Sequence, residues 1–447
     1  MQSTVATAVV DGQKAGSNVE ASGGAGTAIE LFRKRVAASG NKVATRHKAG
    51  GVWHTQSWSD WYTASREIAG GLRSLGIGTG DRVCLLAGTR MEWMLCDVGI
   101  VMAGAVTVPI YQSNTAEQAE YIISDSDAKI VLVEDPVQLE KLLSPAIRGK
   151  LTGVLRVVLV SDVAQLEKPD ARGRTTVKLE EVLPKGHGDW AWVESLAGLR
   201  SEGKKWIGAN PGALEKGWAE VTPAHTFTIV YTSGTTGPPK GVVLNHGSIV
   251  FECAAIEKAL PITEEDEQLL FLPLAHIFAK VLAWKSIAAG APMAFAEGVP
   301  QLVVNMQEIR PTFMGAVPRV YEKVYVKLQA SFAAKLEKPL LGNLVRWALD
   351  VGKRCSVELQ AGRTPMGWLA VEQAIADKLI FSKVKATFGG RLKYFIHNSV
   401  GNLRRQGARL AYQRAALLSG LAPARRFDEL HRRRAMDDRL LGPADRW

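Results

Sequence analysis

From Arg82 onward the sequence passes repeatedly from short, unbroken apolar runs to stretches with helical spacing, and that alternation limits the fold more than any other feature. The runs are RVCLLA from Arg82, VTVPIY from Val106 to Tyr111, KIVLVED from Lys129, VLRVVLVSD and TFTIVYT. EQLLFLPL, APMAFAE, TFMGAV and LKYFI continue the series. Strands with one wet face alternate apolar and polar residues, whereas continuous apolar runs belong to strands covered on both faces, as in the parallel sheets of α/β folds. The intervening segments supply the covering helices. After Ser57, the residues Trp61, Ala64, Ile68, Leu72 and Leu75 fall at helical spacing, with Ser57 or Ser59 as cap and Gly76 at the stop. The expected fold class is α/β, with parallel sheets flanked by helices.

A chain of 447 residues, 47% hydrophobic and 22% charged, has room for about two or three domains. Residues 1–27, rich in Ala, Gly, Ser and Val, read as a loose leader, with order starting near Glu30. Residues 185–222, polar and Trp-rich, read as a bridge between two sheet units. Cys84, Cys96, Cys253 and Cys355 lie far apart with no paired spacing, which suggests neither a disulfide framework nor a zinc site and favours a reducing, cytoplasmic compartment. The first residues lack a basic start followed by an apolar core, and the apolar run Val98 to Ile110 is short of the about 20 residues that span a bilayer. A soluble, cytoplasmic protein is expected, with peripheral membrane contact left open. The formal charge of +11 is uneven: His397 to Trp447 carries +6, which leaves +5 for the first 396 residues. No aromatic-interleaved basic stripe or helix-turn-helix pattern accompanies it, so nucleic acid is not an expected partner.

One strand leads into an unusual loop. TFTIVYT is followed by SGTTGPPKG, with three glycines, a cluster of small hydroxylated side chains and a single lysine. Glycines let backbone N–H groups turn inward and let an oxyanion approach closely, Ser233, Thr235 and Thr236 add donors, and Lys240 adds a point charge. Such an assembly suits a polyphosphate. The order Lys240–Gly241 differs from the Gly-Lys-Ser/Thr of a Walker loop, and no G-x-G-x-x-G follows a strand here.

YTSGTTGPPKGV resembles, nearly letter for letter, the phosphate-binding signature of the adenylate-forming, AMP-binding enzymes. The similarity covers most of residues 45–396, including GDRVCLLAGTRMEW, GAVTVPIYQSNTAEQAEYI, FLPLAHIFAKV, IRPTFMGAVPRVYEKV and FSKVKATFGGRLKYFI. The PRVYEK run resembles the bacterial long-chain fatty acid CoA ligases within that family. The resemblance implies a two-step reaction. A fatty acid carboxylate attacks the α-phosphate of ATP to give an acyl adenylate and pyrophosphate, and the thiol of CoA then displaces AMP. Because the substrate brings its own nucleophile, the protein positions groups and stabilises charge. The resemblance assigns Thr232, Ser233, Gly234, Thr235, Thr236, Gly237 and Lys240 to the β- and γ-phosphates, with Mg2+ sharing that charge. It places His276, in PLAHIF, along the acyl and adenylate pocket; a lone His between apolar residues also reads as a helix cap. Arg319, in VPRVYEKV, reads either as an orienting group beside the nucleotide or as a first-turn residue after Pro318. Trp284 and Phe278 read as acyl-tunnel lining or as core.

After GGRLKYFI the family pattern continues with a Ser-Gly-Gly segment and then a Tyr-Gly-x-Thr-Glu motif that contacts adenine and magnesium. Here residues 397–447 carry eleven Arg and no Lys, and none of those motifs. The ribose-binding Asp, the hinge and the small domain with its catalytic Lys likewise have no counterpart. The expected organisation is an incomplete AMP-binding N-terminal domain over 28–396 and an Arg-rich tail over 397–447, read as an out-of-frame product or as a basic tail. Two functions follow: a long-chain acyl-CoA ligase, or a non-catalytic remnant or nucleotide-binding pseudoenzyme.

Overall fold

The computed structural model describes residues 26–166, 168–232, 237–315, 339–361 and 363–396. The chain divides into two compact units, Met1–Ala254 with Leu272–Phe295, and Ala255–Phe271 with Ala296–Trp447.

The first unit opens on a helix, Ala28–Ser39, whose cap is Thr27: the Thr27 hydroxyl accepts the Glu30 N–H and the Glu30 carboxylate accepts the Thr27 N–H. Next come β1 (Val43–Ala49) and β2 (Val52–Ser57), an antiparallel pair in which His47 faces His54. Ser57 then caps the Trp58–Ser74 helix in a capping box with Asp60, and Trp61, Ala64, Ile68 and Leu72 are buried as their spacing predicts.

The main sheet holds β3 (Arg82–Leu86), β4 (Val106–Ile110), β5 (Ala128–Val133) and β6 (Arg156–Leu159). A two-stranded antiparallel ribbon, β7 (Val163–Gln165) and β8 (Thr176–Lys178), follows β6. The main sheet is completed by β9 (Val193–Ser195), β10 (Thr226–Thr232) and β11 (Lys240–Asn245). Its order is β11-β10-β4-β3-β5-β6-β9, parallel from β10 to β9. Val83, Cys84, Leu85 and Leu86 are all 0% exposed, which accounts for the unbroken apolar run: helices cover both faces of the sheet. The exception to parallel pairing is β11, which returns antiparallel to β10.

Residues 185–222 are not a bridge. They supply the edge strand β9 and the Leu196–Ala209 helix, which lies against the Trp58–Ser74 helix. The two backbones touch because glycines meet there. A Cβ on Gly203 would stand 1.8 Å from the Glu67 carbonyl oxygen, and one on Gly71 would stand 2.4 Å from that of Leu199. Gly203→Ala is therefore expected to cost about 1–3 kcal/mol of stability, read from the denaturant midpoint.

Two further strands carry the argument: β12 (Gln268–Leu270), in the second unit, and β13 (Met293–Phe295), which joins β1 in parallel within the first. In the second unit β12 pairs in parallel with β14 (Phe313–Gly315), and β14 with β15 (Tyr394–Ile396). A separate small core of Val345, Ala348, Val351, Cys355, Ala376, Ile380 and Phe381 joins the Pro339–Gln360 and Trp368–Ala376 helices. Among the described residues no helix is long and apolar enough to cross a membrane.

One buried imidazole ties the first helix to the sheet. His246, 1% exposed, accepts the Ala28 N–H on Nδ1 at 3.2 Å and stands edge-on to the Phe227 ring. Burial pushes its pKa down to about 4, with the positive fields of His225 and Lys280 adding to the effect. The unfolded chain takes up this proton near the ordinary value of 6.5 while the folded chain resists it to about 4. Stability is then full above pH 6.5 and falls as the pH drops toward 4, by about 3 kcal/mol for this group. Comparing unfolding midpoints of the parent chain and His246→Leu across that window checks the sign: the decline should be shallower in the variant.

Candidate functional site

Strand β10 runs up the sheet and ends at Thr232, and β11 starts down again at Lys240; the two residues face each other across the ladder. The connection thus springs from two strands held in fixed register, with β10 also bonded to β4 at Thr228↔Thr107. Farther up, the Tyr231 hydroxyl donates to Asp125 Oδ2 at 2.6 Å and pins β10 to the helix Ala116–Asp125. At the mouth, Thr232, Gly237 and Lys240 are exposed. Gly237 has φ +124°, a backbone region open to glycine and strained for other residues. Ser233, Gly234, Thr235 and Thr236 lie outside the described residues. The geometry therefore brings together Thr232, Gly237 and Lys240 of the expected loop: one cation and one hydroxyl at the solvent end of two paired strands, where the phosphates of a nucleotide can be met by a point charge without burying it.

His276 sits elsewhere in the first unit. It is the N-cap of the Ile277–Ala289 helix, where its Nδ1 accepts the Phe278 N–H at 3.2 Å, so the cap reading describes its local role. Partial desolvation lowers its pKa from the ordinary histidine value. The approach to this helix is clasped by Thr89, whose hydroxyl donates to the Leu272 carbonyl at 2.7 Å and accepts the Leu274 N–H at 3.1 Å. Arg319 falls outside the described residues. Trp284 is wholly buried in the core, edge-on to Phe227 at 5.2 Å, while Phe278 is half-buried.

A buried cluster around Lys280 and Asp97, which the motifs did not single out as a pair, connects these parts. Lys280, one turn below His276 and 0% exposed, donates to Asp97 Oδ1 at 2.8 Å and to Thr228 Oγ1 at 3.1 Å. Trp284 donates to the other Asp97 oxygen at 3.0 Å, and Thr228 passes its own proton to the Thr107 carbonyl at 2.7 Å. The ammonium also lies 4.5 Å from the Phe227 ring centre and 5.6 Å from that of Trp93. Burial lowers the Lys280 pKa, and the Asp97 carboxylate opposes that shift. The cluster bolts the His276 helix to the Met91–Met102 helix and to β10, four residues before the loop. Among the described residues no group of three or more His, Cys, Asp or Glu side chains is gathered to hold a metal ion.

The family model for AMP-binding enzymes matches residues 32–366. The chain belongs to the AMP-binding enzyme family. Among curated members of this family, it is 29% identical over 373 residues to the long-chain-fatty-acid–CoA ligase ACSBG2 of Xenopus laevis, covering 81% of this chain and 46% of the relative. It is likewise 29% identical over 345 residues to the long-chain-fatty-acid–CoA ligase FadD15 of Mycobacterium bovis, covering 77% and 51%. This AMP-binding chain thus spans about half the length of the curated relatives it matches. In fold it is similar to VinN (TM-score 0.53, 20% identity, 69% of this chain and 65% of that one). It is also similar to FadD1, a long-chain-fatty-acid–CoA ligase of Archaeoglobus fulgidus (TM-score 0.53, 18% identity, 68% and 53%). Parallel-rich sheets flanked by helices are the architecture these AMP-binding relatives share with it.

Proposed function

We propose that the chain forms the phosphate-binding part of an ATP-dependent long-chain fatty acid CoA ligase, and that the 232–240 connection receives the β- and γ-phosphates of ATP. The observation that carries this reading is the strand pair itself: Thr232 and Lys240 face each other on paired strands, with an exposed lysine at the end of a Gly-rich sequence. Likeness to long-chain-fatty-acid–CoA ligases supports the acyl substrate and CoA as the second acceptor. His276 is exposed at the start of its helix, one turn above the Lys280 bolt, which fits a position along the acyl and adenylate pocket. Four free, buried cysteines fit a reducing cytoplasmic setting.

Lys240→Ala is expected to weaken ATP binding by about tenfold or more while leaving the unfolding midpoint unchanged, because an exposed lysine beside a polyphosphate acts as a charge and not as packing. Calorimetric titration checks it, and equal affinity in variant and parent would remove Lys240 from the site.

A further inference from the structure

Four of the described imidazoles have Nδ1 occupied by a backbone N–H: His187 accepts from Asp189, His225 from Thr222, His246 from Ala28 and His276 from Phe278. His47 and His54 differ. They stand opposite each other on the antiparallel strands β1 and β2, with ring centres 5.6 Å apart and ring planes 27° from parallel. The His47 Nδ1 is shielded from solvent and, among the described residues, has no hydrogen-bond partner. A buried ring nitrogen left in that condition is costly, and with the proton on Nε2 it carries an unused lone pair.

The hairpin fixes the two rings in this register. The pairs Lys48↔Trp53 and Ala49↔Val52 separate them from the reversal, which Gly50 and Gly51 make at φ +57° and +79°. Side chains alternate across a strand, so the imidazoles share one face, while Lys48 and Trp53 share the other with the ammonium 5.8 Å from the Trp53 ring centre. On its far side β1 is paired with β13, at Thr45↔Met293 and Arg46↔Ala294, which holds the backbone beside His47. Among the described residues β2 has no further strand beside it, and His54 is exposed, so its ring can turn and an ion can reach it from solvent. Burial lowers the His47 pKa; the Glu92 carboxylate opposes that shift, and the fields of His54 and Arg90 add to it. His47 is therefore neutral at neutral pH, the form of imidazole that binds a metal. Arg90 holds the Glu92 carboxylate at 2.8 Å, which leaves any further coordination positions to water.

We propose that His47 and His54 form a two-imidazole chelate for a borderline divalent transition cation, Zn2+, Ni2+ or Cu2+, which clamps β1 to β2. Imidazole suits these ions, whereas Mg2+ and Ca2+ take oxygen ligands. Two imidazole nitrogens bound to one such ion, each at about 2.0–2.1 Å, stand about 3–3.5 Å apart. Rings with centres 5.6 Å apart reach that spacing when the exposed His54 ring rotates. Once one imidazole has bound, the second binds within the same hairpin, so the pair holds the ion more tightly than a single histidine does. Neither ATP nor an acyl substrate enters this contact, so it stands whether or not the phosphate loop binds nucleotide.

The test is titration of the full chain with Cu2+, the ion of the three that such sites bind most tightly. Electron paramagnetic resonance reads it, because nitrogen hyperfine splitting counts the coordinated imidazoles. At one equivalent the parent chain should show two nitrogens. His54→Ala should show at most one and bind at least about tenfold more weakly. Without Cu2+ its unfolding midpoint should match the parent's, since His54 is exposed; with Cu2+ the parent's midpoint should rise and the variant's should not. His187→Ala, which removes an exposed imidazole whose Nδ1 is already engaged, should behave as the parent does. The same affinity and splitting in His54→Ala as in the parent would overturn the proposal, as would the absence of a two-nitrogen signal from the parent. A two-nitrogen signal that survives His54→Ala and disappears with His397→Ala would place the ion on the C-terminal tail and would equally overturn it.

Discussion

Lys280→Met is expected to destabilise the first unit by about 3–5 kcal/mol, the largest effect of any single substitution considered for this chain. The side chain is wholly buried, and the change leaves Asp97, also 0% exposed, with a charge that, among the described residues, the Trp284 N–H alone still meets. The cost arises less from the lost attraction than from the orphaned carboxylate, and the second half of the prediction rests on that distinction. Adding Asp97→Asn to Lys280→Met removes the charge, and the amide oxygen can go on accepting the Trp284 N–H. Thr228 keeps its bond to the Thr107 carbonyl throughout. The double variant should regain most of the lost stability. Denaturant unfolding of both variants checks this: a double variant as unstable as the sum of its two single changes would mean that the cluster acts through packing and not through paired charge.

Much of the main sheet is legible in the sequence because burial on both faces writes itself as unbroken apolar runs, as in RVCLLA and KIVLVED. The strands that escape this reading are those with a wet face or an open edge. In β1 and β2 exposed polar residues interrupt the pattern, and the surviving signal is Gly50–Gly51, both with positive φ, between two short strands. Strand β11 sits at the edge of its sheet with its residues only half-buried, and nothing in KGVVLN separates it from a loop extension. In the candidate site, the Gly- and hydroxyl-rich run identifies the loop because its residue types are few and unusual. The bolt behind it is spatial: Asp97 and Lys280 are 183 residues apart in sequence. What the sequence does offer is two acids in one largely apolar helix, MEWMLCDVGIVM, and two lysines in another, IFAKVLAWKSIAA, a pattern that is costly unless such charges meet partners.

Supplied with labelled palmitate, ATP, magnesium and CoA, the purified 447-residue chain is expected to form no palmitoyl-CoA above background. The family resemblance implies a phosphate loop, adenine and ribose contacts, a magnesium carboxylate and a mobile lysine, and residues 1–447 contain recognisable sequence for the first of these. Losing one preorganised charge-stabilising group costs about 3–4 kcal/mol of transition-state stabilisation. Several losses together leave little rate to measure, although they do not sum. Thioester formation at ordinary ligase rates would mean that residues 397–447 supply catalytic groups of a different sequence pattern.

Phosphorus NMR of ATP tests most directly whether the 232–240 connection receives a polyphosphate, because it reports each phosphate separately. With the parent chain added, the β and γ resonances should shift or broaden more than the α resonance, and Lys240→Ala should abolish most of that difference. Unperturbed resonances, or the same perturbation with Lys240→Ala as with the parent, would contradict the assignment of this loop to the β- and γ-phosphates.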